Sequence, residues 1–179
     1  MNHYTIYELL WLFFLYSFGG WILETVLATL KQKKFANRGL VNGPYCVMYG
    51  FTAVLMTVGL QELTGFWLFL FAAVYATVAE WIGGHLMEWI FKERWWDYSG
   101  RRWNLDGYIC LGASVTWGVL GVIMLKWGNP LLLALYSLVP QGIWAVVLWA
   151  SLILLGIDLI GTLLAMAGLR YRWPAAEAI

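Results

Sequence analysis

Long apolar runs separated by short charged loops set the pattern of the chain. A helix needs about 20 apolar residues to cross about 30 Å of hydrocarbon. Five segments meet that requirement, about 6–30, 45–63, 66–91, 107–126 and 142–168. The stretch 129–140, NPLLLALYSLVP, is apolar but shorter, and Pro130 and Pro140 bracket it. It is expected to lie at the interface or to re-enter, since a sixth crossing would put the C-terminus outside. The first apolar run is expected to be a retained helix, because MNHYTIYELLW has no basic region and no small-residue cleavage site ahead of it. The pattern therefore predicts an all-α integral membrane protein of about five transmembrane helices in a single transmembrane domain, 1–179.

Charge orients these spans. Lys31, Lys33, Lys34 and Arg38 follow the first, Lys92, Arg94, Arg101 and Arg102 the third, and Arg170 and Arg172 the fifth. Only Lys126 falls on the other side, so ten of the 11 basic residues face one compartment. Basic loops stay in the cytoplasm. The N-terminus is accordingly expected outside, with Glu8 and Glu62, and the C-terminus in the cytoplasm of a cell with this protein in its plasma or inner membrane.

A shift of 64 residues lays the first span, loop and second span on the third, loop and fourth. Gly19, Gly20, Glu24, Arg38, Gly43 and Cys46 then meet Gly83, Gly84, Glu88, Arg102, Gly107 and Cys110, and Asn42 meets Asp106. Six identities fall in 28 ungapped positions, against roughly two by chance at ordinary residue frequencies. A parallel duplication follows, with repeat unit A at about 6–63 and unit B at about 66–126, the short segment at 129–140 and the last helix added. Each unit reads GGxxxE, a basic loop, an Asn-Gly or Asp-Gly turn and an outbound helix. The glycines suit close helix approach under any reading.

Composition sharpens the picture. The chain is 62% hydrophobic and 12% charged, where a soluble domain carries about a quarter charged residues. A net charge of +1 argues against nucleic acid as a partner. Cys46 and Cys110 form no disulfide framework and are read as small packing residues. No nucleotide-binding loop of the G-x-x-x-x-G-K-[ST] type, no G-x-S-x-G and no H-E-x-x-H is present. Neither a catalytic set nor a cofactor is assigned. His85-x-x-Glu88 with Glu80 and Glu24 offers hard-metal ligands, but two histidines in the chain make a weak set, and no metal site is assigned.

Ionisable groups inside apolar helices are costly and mark function by default. At about 1.5 Å per residue, Glu80 lies near the middle of span three, Glu24 and Glu88 near the inner ends of their helices, and Asp158 deep in the last helix. Glu80, Gly84 and Glu88 share one helix face. Below them runs KERWWDYSGRRWNLDG, 92–107. Arg38, Arg94, Arg102, Asp97, Asn42 and Asp106 can reach up from the loops, giving a polar cytoplasm-facing cavity walled by spans one and three. The bland alternative makes Glu24–Arg38 and Glu88–Arg102 structural ion pairs. Trp95, Trp96 and Trp103 are read as interfacial aromatics.

The motifs GWILE (20–24), NRGLVNGPYCVMYG (37–50), EWIGGHLMEWIF (80–91), RWWDYS (94–99) and NLDGYICLGASVTWG (104–118) resemble the CmpB-like family of type IV ABC-transporter membrane proteins over about residues 8–125. The resemblance implies a permease-like membrane component with a separate ATPase subunit as partner, and it supplies no catalytic residues. Five helices enclose little volume, so transport would call for a homodimer or another subunit, and the 92–106 loop is the one candidate of sufficient size to meet an ATPase. Three functions stay open: a transport component whose carboxylates bind a cation, a proton or an amine-bearing solute; a scaffold or assembly factor among membrane lipids, with no substrate and charges that serve only packing; and an enzyme acting on an anionic lipid headgroup or an isoprenoid, with Arg38, Arg94 and Arg102 holding a phosphate and Glu88 or Asp97 as acid or base.

Overall fold

A computed structural model describes residues 4–35, 37, 43–92 and 94–166, and over these the chain is almost wholly helical. Helix α1 spans Ile6–Gln32, α2 Val47–Gly59, α3 Gly65–Phe91, α4 Leu111–Ile123, α5 Asn129–Ser137 and α6 Gln141–Met166. A hairpin of two-residue strands, β1 (Asn104–Leu105) and β2 (Ile109–Cys110), precedes α4. Four helical stretches are long and apolar enough to cross a membrane: Ile6–Gln32, Gly65–Ile90, Leu111–Ser137 and Gln141–Leu164. Helix α2 is the short one. The all-α membrane fold read from the sequence is the fold observed, apart from the small hairpin.

Local chemistry fixes the ends of these helices. Glu8 N–H donates to the Thr5 hydroxyl at 3.3 Å, and Thr5 N–H donates to the Glu8 carboxylate at 2.7 Å, a reciprocal cap that starts α1. Helix α2 starts later than the apolar pattern suggests because the donors before it are committed elsewhere. Gly43 N–H bonds Asp158 at 2.7 Å, Tyr45 N–H bonds the Gly43 carbonyl at 2.8 Å, and Cys46 N–H bonds the Ser17 carbonyl at 2.8 Å. A non-helical lead with a tight turn at Gly43–Tyr45 therefore precedes the 13 helical residues of α2.

The segment expected to stand apart at 129–140 is instead continuous with α4. A widened π turn, Met124–Gly128, joins α4 to α5. Pro130 explains it: a proline inside a helix has no N–H to donate, and its ring collides with the carbonyl four residues back. Opening the preceding turn relieves the collision and lets the helix run on. Pro140 does break the chain, and its carbonyl accepts Ile143 N–H at 3.0 Å as α6 begins.

The fold divides into two compact units. One holds the described residues up to Val54 together with those from Asn129 onward, and the other is Leu55–Gly128. In the first, α1 packs on α5 and α6 around Phe13, Phe14 and Leu148. Tyr16 donates to the buried Asn129 side chain at 2.8 Å, and the Trp11 indole donates to the Leu132 carbonyl at 2.8 Å. In the second, α3 and α4 form the most extensive helix pair, around Met56, Leu60, Leu68, Ala72 and Ala76. Small residues bring these two helices together. A methyl group added at Gly118 would lie 2.9 Å from the Ala73 side chain and 2.9 Å from Phe69, and one at Gly121 would lie 2.9 Å from Ala72. Thr77 donates to Ser114 across the same seam at 2.8 Å.

Gly118→Val should therefore push α4 off α3 and cost about 1–3 kcal/mol, read as a lower unfolding temperature in detergent. Gly112→Val, where an added side chain meets open space, should leave that temperature nearly unchanged; equal losses in both would mean the seam is not the cause.

Candidate functional site

The α3 face that carries Glu80, Gly84 and Glu88 is covered by the chain that follows it. After α3 ends on Lys92, in left-handed backbone at φ 61°, the loop turns back along the helix. Tyr98 donates its hydroxyl to Glu80 at 3.0 Å, and Glu80 is only 6% exposed. Glu80 precedes the end of α3 by 11 residues, or about 16 Å, so the loop follows the helix for a long way. One turn further on, the Tyr108 ring lies against Gly84: an added methyl there would come within 2.6 Å of that ring and 3.3 Å of Trp96. Tyr108 then donates its hydroxyl to Glu88. Glycine at 84 is thus the condition for Tyr108 to reach Glu88.

The polar groups of the loop answer one another. Asp106 and Gly107, at φ 54° and 76°, form the tight turn of the hairpin, closed by Tyr108 N–H to the Leu105 carbonyl at 3.1 Å. The Asn104 side chain donates to the Ser99 and Arg101 carbonyls at 3.2 and 2.8 Å and accepts Gly107 N–H at 3.2 Å. Tyr98 N–H donates to the Gly107 carbonyl at 2.8 Å, and the Trp96 indole to the Tyr108 carbonyl at 2.9 Å. Asp97 accepts both the hydroxyl and the N–H of Ser99, at 2.5 and 2.8 Å. Those bonds hold its carboxyl below the ordinary carboxylate range.

Arg94 completes the cluster. Its Nε donates to Glu88 at 2.9 Å, its Nη1 to the Asp106 carbonyl at 3.0 Å, and its Nη2 approaches the Tyr108 hydroxyl at 3.4 Å. Its guanidinium carbon stands 4.5 Å from the centre of the Tyr108 ring. Hydrogen bonding to the Glu88 carboxylate raises the Tyr108 hydroxyl above its ordinary value, so it stays a donor. His85 packs on Tyr108 with ring centres 3.9 Å apart, and Trp81 on His85 at 4.3 Å.

The first unit carries a comparable arrangement on α1. Gly20 is buried against the Tyr49 ring, and Tyr49 donates its hydroxyl to Glu24 at 2.5 Å. In each unit a glycine admits a tyrosine ring, and that tyrosine bonds the carboxylate four residues along the helix. The two tyrosines are not equivalent under the 64-residue shift, which would take Tyr49 to Ala113. Asp158, the deep carboxylate of α6, accepts Gly43 N–H and so ties the last helix to the turn ahead of α2.

The structure therefore places Glu24, Glu80, Glu88, Arg94, Asp97 and Asp158 in polar contacts, each within its own unit. It corrects the pairing expected for Glu88: Arg94 takes that carboxylate, because the loop folds back, while Arg102 and Asp106 have exposed side chains and Asp106 contributes only its carbonyl. Arg38 and Asn42, and with them the Glu24–Arg38 pairing, lie outside the described residues. Reasoning from the sequence missed Tyr49, Tyr98 and Tyr108, and it read Trp96 as an interfacial aromatic where its indole donates within the loop. The one visible mark of the tyrosines was position, since Tyr49 and Tyr108 follow the Asn-Gly and Asp-Gly turns by a few residues.

A family model described as "Putative ABC-transporter type IV" matches residues 11–163. The chain belongs to that family. The match runs beyond the motifs read from the sequence and takes in the last helix with Asp158. No curated protein and no solved structure matches the chain. Family membership and four long apolar helices make this a membrane protein of a transporter family.

Gly20→Ala and Tyr49→Ala should each destabilise the protein, and the double variant should lose less than their sum. The coupling should be about 0.5–3 kcal/mol in a thermal-unfolding cycle; strict additivity would dissolve the glycine–tyrosine unit. Ser99→Ala tests the loop by pH. A carboxyl with a lowered pKa contributes stability that is present above its unfolded value and is lost as pH falls through the folded one. The stability gap between wild type and Ser99→Ala should be widest near neutrality and close on acidification, and a gap that ignores pH would remove Asp97 from the account.

Proposed function

We propose that this chain is a permease-like membrane component of a transport system, with a polar cytoplasm-facing cavity lined by carboxylates that contact a cationic or amine-bearing solute or a proton. The observation that carries the reading is Glu80, a buried carboxylate far along an apolar helix, on the same face as Glu88. Placing ionisable groups in such helices costs enough that packing alone is a poor reason for them. Family membership supports a transport role. The ten basic residues on one side support an N-terminus outside and a cytoplasmic C-terminus. Both basic loops reach that side only if the short α2 carries the chain back across.

Energy would come from a separate ATPase, because the chain has no nucleotide-binding loop. The loop at 92–106 is its docking element, and a homodimer supplies the volume that one copy lacks. A scaffold role is the second reading, favoured by Glu24 and Glu88 being held by tyrosines of their own units. Headgroup chemistry has less support, since Arg94 is engaged with Glu88.

Glu80→Gln keeps an acceptor for Tyr98 and removes the charge. In a cell-based uptake or resistance assay, at equal protein level, it should reduce activity by about tenfold or more, the equivalent of one interaction of about 1.4 kcal/mol. Full activity would leave the scaffold reading in place.

A further inference from the structure

Arg94 is held beside Glu88 by three oxygens. Each of its guanidinium nitrogens meets an oxygen: Nε the Glu88 carboxylate, Nη1 the Asp106 carbonyl, and Nη2 the Tyr108 hydroxyl. The guanidinium carbon stands 4.5 Å from the centre of the Tyr108 ring, a position that favours a delocalised cation. That ring is held in place by His85 on one side of the contact chain and by Gly84, whose missing side chain gives it room. Acceptors, carboxylate and ring thus match a planar, forked cation and would serve a compact ammonium less well.

Two further features distinguish this arrangement from a buried structural ion pair. Glu88 and Arg94 keep 38% and 37% of their side-chain surface exposed, so the pair is not sealed inside the protein and itself contributes little to stability. Tyr108 donates to the same Glu88 oxygen as Arg94, so the carboxylate keeps a donor when the arginine leaves. Arg94 sits on the loop and not on α3, and the acceptors around it come from α3 and the hairpin.

We propose that Glu88, Tyr108 and the Asp106 carbonyl form a binding site for solutes bearing a guanidinium or amidinium group, with Arg94 as a tethered occupant that such a solute displaces. The inference rests on the transport reading and narrows its substrate class. A tethered group is present at an effective concentration on the order of millimolar, so it sets a threshold that a solute must exceed before it binds.

The test uses the full-length protein in lipid nanodiscs with p-aminobenzamidine, a fluorescent amidinium, as the probe. Removing the occupant with Arg94→Ala should tighten probe binding by about tenfold or more, and adding Glu88→Gln to that variant should abolish the gain. Arg94→Lys retains the loop's charge but lacks the fork, and should tighten binding by a smaller factor even if the alanine variant fails to fold. Unchanged affinity in the folded arginine variants, or a gain that survives Glu88→Gln, overturns the proposal. Because the assay involves neither an ATPase nor flux, failure here leaves transport to the Glu80 measurement, and failure there leaves this binding result standing.

Discussion

A polypeptide segment can run beside a membrane helix only if its N–H and C=O groups find partners within the protein, because hydrocarbon offers none. The 94–110 segment lies on one face of α3 with many of its polar groups partnered within its own unit, and much else there depends on that contact. Tyr98, Trp96 and Tyr108 bring polar atoms to the helix, Glu80 and Glu88 supply carboxylates, and Gly84 supplies the space between them. Without the glycine the tyrosine could not lie close, and without the tyrosine Glu88 would keep only Arg94 as its described hydrogen-bond donor.

The same economy appears on α1, where Gly20, Tyr49 and Glu24 form a second glycine–tyrosine–carboxylate unit. The repetition holds at the level of contacts and not of strict register, since the tyrosines come from different points of their segments. One begins in a helix and the other in a hairpin turn. What the two helices share is the face Gly-x-x-x-Glu, and what differs is the route by which an aromatic hydroxyl arrives.

The non-helical leads into α2 and α4 follow from the same constraint. Residues 43–46 and 107–110 are not helical, yet their amides bond Asp158, Ser17, Asn104 and neighbouring carbonyls. Breaks of this kind put backbone dipoles and carboxylates side by side inside apolar surroundings, which is the chemistry through which transport proteins hold ions and polar solutes. They also account for the brevity of α2.

The apolar runs determined the helices, because the need for about 20 apolar residues per crossing is a property of composition and length, and the spacing of Glu80, Gly84 and Glu88 determined that they share a face. Family motifs were legible as well, and the matched region proved longer than they indicated. The partners of the carboxylates were not legible. Arg94 and Arg102 lie in the same short loop, and only the fold of the hairpin decides which returns to Glu88. Pro130 could end a helix or be absorbed by a widened turn, and the packing that fixes α5 against α1 decides for the turn. Tyrosines in apolar segments look like ordinary lining until tertiary structure aims their hydroxyls, because a side chain's direction in a non-helical segment depends on contacts that no local pattern encodes.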